Sequence, residues 1–236
     1  MMLVISYGSA DYELAETFAL SRRWNHTMRY SREHKAGTRS RIVRNASHVL
    51  RDKGLNGTGI VGLMKSAGLT RGGFYSHFRS REALVAEAVA YALAQTASEW
   101  RRYAGPSGGL DLLVASYLRQ EHRDNPARGC PLPAVSADVA RSGKKVRRTF
   151  TQSLDELLDA LVTHIPDEPN EEARLLAAGV MATMVGSLIL ARACDDSELS
   201  SSMLDGGKRV VRSVAGGRPD LDKANRPTPR HERCGL

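Results

Sequence analysis

Apolar residues recur along the chain at helical spacing, and no run of alternating Val, Ile, Thr and aromatic residues marks a strand. The pattern predicts an all-α protein. The first helix is expected over residues 38–53, with Ile42, Ala46, Val49 and Leu50 on one face, Thr38 as N-cap and Gly54 beyond its end. A short second helix follows Thr58, carries Ile60, Leu63 and Met64, and stops at Gly68. A third helix of about two turns begins at Thr70 and turns Phe74 and Phe78 inward, at i and i+4. Ser80 is the expected N-cap of a long helix over 81–103, ended by Gly105-Pro106. Amphipathic segments follow at 110–122, 133–141 and 144–165, the last burying Val146, Phe150, Leu154, Leu157, Leu158 and Leu161. A Pro-Asp-Glu-Pro-Asn break precedes an apolar helix over 171–193, and a final helix spans 197–215. Nine helices result, three short ones in front and six behind.

Composition agrees with a folded core: 42% of the 236 residues are hydrophobic and 25% charged. Charge distribution adds more. The net +8 is concentrated in residues 28–91, with 12 basic and 4 acidic side chains, whereas residues 92–216 carry 15 against 16. A polyanion-binding surface is therefore sought in the front segment. Cys130, Cys194 and Cys234 are odd in number and lack a C-x-x-C pair, which suggests neither a disulfide framework nor a zinc site and fits a reducing, cytoplasmic setting. The N-terminus carries Asp11, Glu13 and Glu16 in place of a signal peptide's basic start. The longest uncharged run, 175–191, is short of the roughly 20 apolar residues that span a bilayer and reads as a buried helix, so no membrane partner is expected.

Three short helices with a tight turn at Ala67-Gly68-Leu69 have the layout of a helix-turn-helix, whose second helix enters the DNA major groove. With Phe74 and Phe78 inward, Thr70, Arg71, Gly73, Tyr75 and His77 are left for DNA. Arg71 suits a bidentate contact to guanine O6 and N7. Gly72 and Gly73 cost helix stability, each up to about 1 kcal/mol relative to Ala, but allow close backbone approach. Tyr75, His77 and Arg81 suit phosphates, Arg81 standing at a helix N-terminus.

The run from Thr38 through Gly54, Gly57-Thr58 and Ala67-Gly68-Leu69-Thr70-Arg71-Gly72-Gly73-Phe74-Tyr75-Ser76-His77-Phe78 to Leu84 resembles the DNA-binding domain of the TetR family of bacterial transcriptional repressors. The remaining helices match that family's six-helix ligand-binding and dimerisation domain in count and order. Arg128-Gly129-Cys130-Pro131-Leu132 resembles a subfamily. The resemblance implies a homodimer that binds a palindromic operator in double-stranded DNA and is released by a small-molecule effector. It places Thr58, Thr70, Arg71, Tyr75, His77 and Arg81 at the family's usual DNA contacts, and the dimer seam at about 171–215. Gly59 and Gly62 depart from the helix formers more usual in the second helix. The implied division is a DNA-binding domain over 28–85 and an effector and dimerisation domain over 86–215. Residues 1–27 form an extension the fold does not need, with Met28 as a natural start, and 216–236 a disordered tail.

Other signals carry blander readings. Gly57-Thr58-Gly59-Ile60-Val61-Gly62 is formally G-x-G-x-x-G, but a helix end precedes it and no βαβ unit surrounds it, so no nucleotide cofactor is expected. Arg39, Arg41 and Arg44 are either solvent-facing or part of the DNA field. Trp100, Tyr117, Cys130 and Met181, with Tyr103, Phe150 and Met184, are effector-pocket candidates, although aromatic and Met positions at helical spacing are more often plain core. Cys130, at Gly-Cys-Pro, is either a thiol-based electrophile or redox sensor or a buried thiol. No H-E-x-x-H, nucleophile elbow or metal-spaced His or Cys cluster marks an enzyme or a metal site. A non-specific, nucleoid-type DNA binder remains the main alternative regulator class.

Overall fold

The computed structural model describes residues 10–57, 59–68, 70–103, 109–165 and 170–216, with the side chains of 10–31, Ile60, Ser66, Arg71, Gly72, Ala215 and Gly216 left aside. Thr58, the helix end at Gly105-Pro106, the start of the 166–170 break and the tail from 217 lie outside the described residues. Among these residues are ten α-helices, one 3-10 turn and no strand.

Helix α1 runs over Ala10–Lys53, far longer than the 38–53 expected. No proline and a single glycine, Gly37, interrupt residues 10–53, so nothing ends the helix at Thr38, which is buried inside it and is not an N-cap. The backbone has no break at Met28. Helices α2 (Ile60–Ser66) and α3 (Arg71–Phe74) complete the head. Helix α3 is one turn, not two, consistent with the low helix propensity of Gly72-Gly73.

The long α4 (Arg81–Arg101) is capped by Ser80, whose Oγ accepts from the Ala83 amide at 3.1 Å. Instead of one helix over 110–122, the chain makes α5 (Gly109–Tyr117), α6 (Gln120–Asp124) and a 3-10 turn at Pro126–Arg128. His122 has a part in this: its Nδ1 takes the Tyr117 carbonyl at 2.7 Å, an acceptor that a continuous helix would give to the Glu121 amide. Helices α7 (Leu132–Ala140), α8 (Lys144–Val162), α9 (Glu171–Ala193) and α10 (Ser197–Gly216) follow close to their expected positions.

Helices α4 and α8 lie side by side and parallel. Gly143 meets Glu82 at their starts, and the His164 ring bonds the Trp100 carbonyl at 2.9 Å near their ends. Helix α9 packs on α8 and α10, and α1 on α4. In α8, Val146, Leu157 and Leu161 are buried, while Phe150, Leu154 and Leu158 are partly so.

One hydrophobic cluster runs from Ile42 in the head to Val211 in α10, so the head has no separate core. Polar ties cross the same boundary. The Leu55 amide donates to Asp138 Oδ2 at 2.9 Å, and His48 Nδ1 meets the Ala127 carbonyl at 3.1 Å. Arg51, 4% exposed, donates to the Ala92 carbonyl and to Gln95 Oε1.

Candidate nucleic-acid interface

The α2–α3 turn is built on Gly68, whose φ of +70° lies where a side chain is strained. The Ala67 and Gly68 amides close the end of α2 on the Met64 and Lys65 carbonyls. Phe74 and Phe78 then stack inward with centroids 5.8 Å apart, over buried Leu63 and Met64. This packing fixes which face of α3 is outward. Thr70 is exposed and Tyr75 is 62% exposed, its ring edge-on to Phe74. A methyl at Gly73 would meet only ordinary contacts, the nearest being Thr70 Oγ1 at 3.9 Å, so internal packing does not demand glycine there.

His77 and Arg81 are less free than their positions suggest. His77 is half-buried and its Nδ1 is buried with no partner; burial, then the charges of Lys35 and Arg39, lower its pKa. It is a neutral ring at physiological pH, and a phosphate contact from it is a hydrogen bond without charge. Arg81 stands at the start of α4, with one guanidinium nitrogen donating to the Leu55 carbonyl. It ties α4 to the α1–α2 turn while its remaining donors stay available.

Arg39 has a structural role that spacing did not reveal: its guanidinium forks onto both Glu87 carboxylate oxygens and lies 4.5 Å from the Phe78 ring centroid. Arg41 and Arg44 remain exposed, as do Lys35, Lys53, Lys65 and Arg79.

In the body, a half-open cavity of about 600 Å³ lies between the end of α4, α5 and the α6–Cys130 segment. Trp100, Tyr117 and Cys130, named from the sequence as pocket candidates, share its wall, whereas Met181 lies buried in α9 and does not line it. Trp100 meets Tyr117 edge-on at 5.9 Å.

His122 fastens this wall. Its Nδ1 donates to the Tyr117 carbonyl and its Nε2 accepts from the Cys130 amide at 3.0 Å, a pattern only the neutral ring can make. Burial lowers its pKa to about 4. A Cβ at Gly129 would sit 2.2 Å from that Nε2, so glycine is needed for the close approach. Because the folded pKa lies below the unfolded value near 6.5, the unfolded chain binds the extra proton, and stability is lost as pH falls from about 6.5 toward 4. The melting temperature should drop across that window, less steeply in His122→Gln; equal slopes would assign the effect to His77 and His164, which shift the same way.

Cys130 is 5% exposed beside the Tyr117 and Thr96 hydroxyls, and burial pushes its thiol above the ordinary range. A sensor thiol needs the opposite, an accessible thiolate.

Residues 42–88 match the model of bacterial regulatory proteins, tetR family. HTH-type transcriptional regulators from two strains of Mycobacterium tuberculosis are each 28% identical over 164 residues, covering 66% of this chain and 84% of theirs. Among solved structures, the reduced form of NemR from E. coli shares the fold with a TM-score of 0.62 at 19% identity, over 78% of this chain and 99% of that one. A TetR-family transcriptional regulator from Agrobacterium tumefaciens does so with a TM-score of 0.63 at 16% identity, over 77% and 98%. With the helix-turn-helix geometry and its basic surroundings, these matches identify residues 42–88 as a DNA-binding domain of the tetR family of bacterial regulatory proteins, in a chain whose relatives are transcriptional regulators.

Proposed function

We propose that the protein acts in the cytoplasm as a homodimeric repressor, holding a palindromic operator until a small molecule enters the body and favours release. The observation that carries this reading is the outward face of α3: the Phe74–Phe78 stack turns Thr70 and Tyr75 to solvent beside exposed cations. In a dimer, two such helices about 34 Å apart would read two half-sites. Arg71 reads a base, Gly72 and Gly73 let the backbone approach, and Thr58, Thr70, Tyr75, His77 and Arg81 position the head on phosphates.

Helix α9 supports the proposed seam over 171–215. It is apolar enough to cross a membrane, with mean hydropathy 1.8, yet only 33% of that stretch is buried. Leu175, Ala178, Ala182 and Ile189 face outward, whereas Met181 and Leu188 face the core. No neighbouring atom would obstruct a Cβ at Gly179 or Gly186, so a second helix has room to approach. A partner copy would cover this face.

Arg71→Ala should cost about 1–3 kcal/mol of operator affinity and relax specificity at one position. Arg81→Ala should weaken binding to all sequences and reduce the salt slope. Footprinting on the flanking intergenic DNA, against random DNA at matched salt, tests the reading. Equal affinity for both would establish the non-specific, nucleoid-type alternative. The Cys130 redox alternative has little physical support, since its thiol is buried and protonated at neutral pH.

A further inference from the structure

Arg81, given a phosphate contact in the reading above, is held from the body by two polar contacts in series. One guanidinium nitrogen of Arg81 donates to the Leu55 carbonyl, and the amide of the same Leu55 donates to Asp138 Oδ2 at 2.9 Å. Leu55 is buried and follows Gly54, whose amide already closes α1 on the Leu50 carbonyl. Neither bond at Leu55 is therefore part of helix closure: one comes from the head and the other from α7 in the body. Asp138 is itself oriented, since its Oδ1 accepts from Arg141 one turn on, at 3.0 Å.

A second contact brings the same part of the body to Arg81. The start of α8 lies against the first turn of α4, where a side chain at Gly143 would collide with the Glu82 carboxylate. The elbow between α7 and α8 thus touches Leu55, which Arg81 bonds, and Glu82, its neighbour in the chain.

An arginine gives up rotamer freedom when it engages a phosphate, and a bond that fixes the side chain beforehand reduces that cost. A carbonyl can do this only if its own residue is fixed. At Leu55 the charge-assisted bond to Asp138 supplies the anchor. Coulomb's law alone gives Asp138 the opposite role, because an acidic group on a DNA-binding protein repels phosphates and its removal should strengthen binding. The two effects differ in sign.

We propose that Asp138 is a positioning residue for DNA binding, which holds Arg81 ready for a backbone phosphate through Leu55. Because Asp138 belongs to the body and Arg81 to the head, DNA affinity depends on where the body holds α7. This inference rests on the phosphate role of Arg81.

Fluorescence anisotropy of the full chain tests it, on a labelled duplex carrying the footprinted operator, or on a random-sequence duplex if none is footprinted. Asp138→Ala should weaken binding about tenfold and flatten the salt slope by about 0.9 per head, as Arg81→Ala does. In the Arg81→Ala background it should cause no further weakening. Asp138→Asn, which keeps an acceptor for the Leu55 amide, should bind at least as tightly as the parent. An Asp138→Ala variant that binds as the parent or tighter overturns the proposal, as does an asparagine variant as weak as the alanine one. A loss that persists undiminished without Arg81 also overturns it, and makes Asp138 only a support of the fold. Melting temperatures show which variants are folded. Should Asp138→Ala not fold, Asp138→Glu decides, because it keeps the charge and displaces the carboxylate by one methylene. Parental affinity there overturns the proposal, and a loss that Arg81→Ala abolishes upholds it. Parental affinity in Arg81→Ala refutes the phosphate role and the proposal together, whereas a weakened Arg81→Ala beside a parental Asp138→Ala refutes the proposal alone.

Discussion

Phe74→Ala is expected to unfold the DNA-binding head, at a cost of about 3–5 kcal/mol. Phe74 is fully buried at the centre of the α2–α3 packing, stacked on Phe78 with Tyr75 edge-on to it. No neighbour can fill the vacated space without moving α3, a single turn that contains two glycines. Since a domain's whole stability is about 5–15 kcal/mol, a large share of the margin of the core that the head shares with the body would be lost, and operator binding with it. Urea unfolding and a DNA mobility shift check both effects. Tyr75→Ala, one residue on, removes a ring that is 62% exposed and should leave the urea midpoint almost unchanged while weakening DNA binding. If the two variants behaved alike, the inward and outward faces of α3 would be wrongly assigned.

Gly54→Ala should produce the second large effect, through backbone strain and collision together. Gly54 has φ of +69°, a conformation that costs a side chain about 1–2 kcal/mol. The added methyl would also lie 2.8 Å from Asp138 Oδ2, the atom that accepts the Leu55 amide. Losing that charge-assisted bond adds about 1.5–3 kcal/mol, and the contact between the head and α7 loosens. Gly54→Ala in an Asp138→Ala background should cost only the strain, so a double-mutant cycle on the melting temperature separates the two parts. Additive costs would show that Asp138 does not hold the turn.

These two sites differ in how much of them was legible from residue order. Phe74 and Phe78 at i and i+4, bracketed by Gly68 and Ser80, specified the inner face of the reading head, because helical period and capping are local properties. Gly54 was legible as a helix end, but its carboxylate neighbour is 84 residues away. Arg39 shows the same limit: its sequence neighbourhood is basic and suggests DNA, whereas its partner Glu87 lies on the following long helix. The 110–122 segment was read as one helix because its apolar spacing is continuous. A His122 ring that takes the Tyr117 carbonyl belongs to the break between two helices, and periodicity does not register such competition.

By itself, then, the sequence determined the all-α class, most helix positions, the basic head and the inward Phe74–Phe78 face, since period, caps, turns and charge density are written in neighbouring residues. Tertiary structure alone decided that the head shares its core with the body and that His77 is a half-buried neutral ring. It also decided that Tyr117 and Cys130 are buried side by side, where burial keeps the thiol protonated and unreactive. Each of those outcomes depends on burial and on partners distant in the chain, which set hydrogen-bond satisfaction and protonation only once the helices pack.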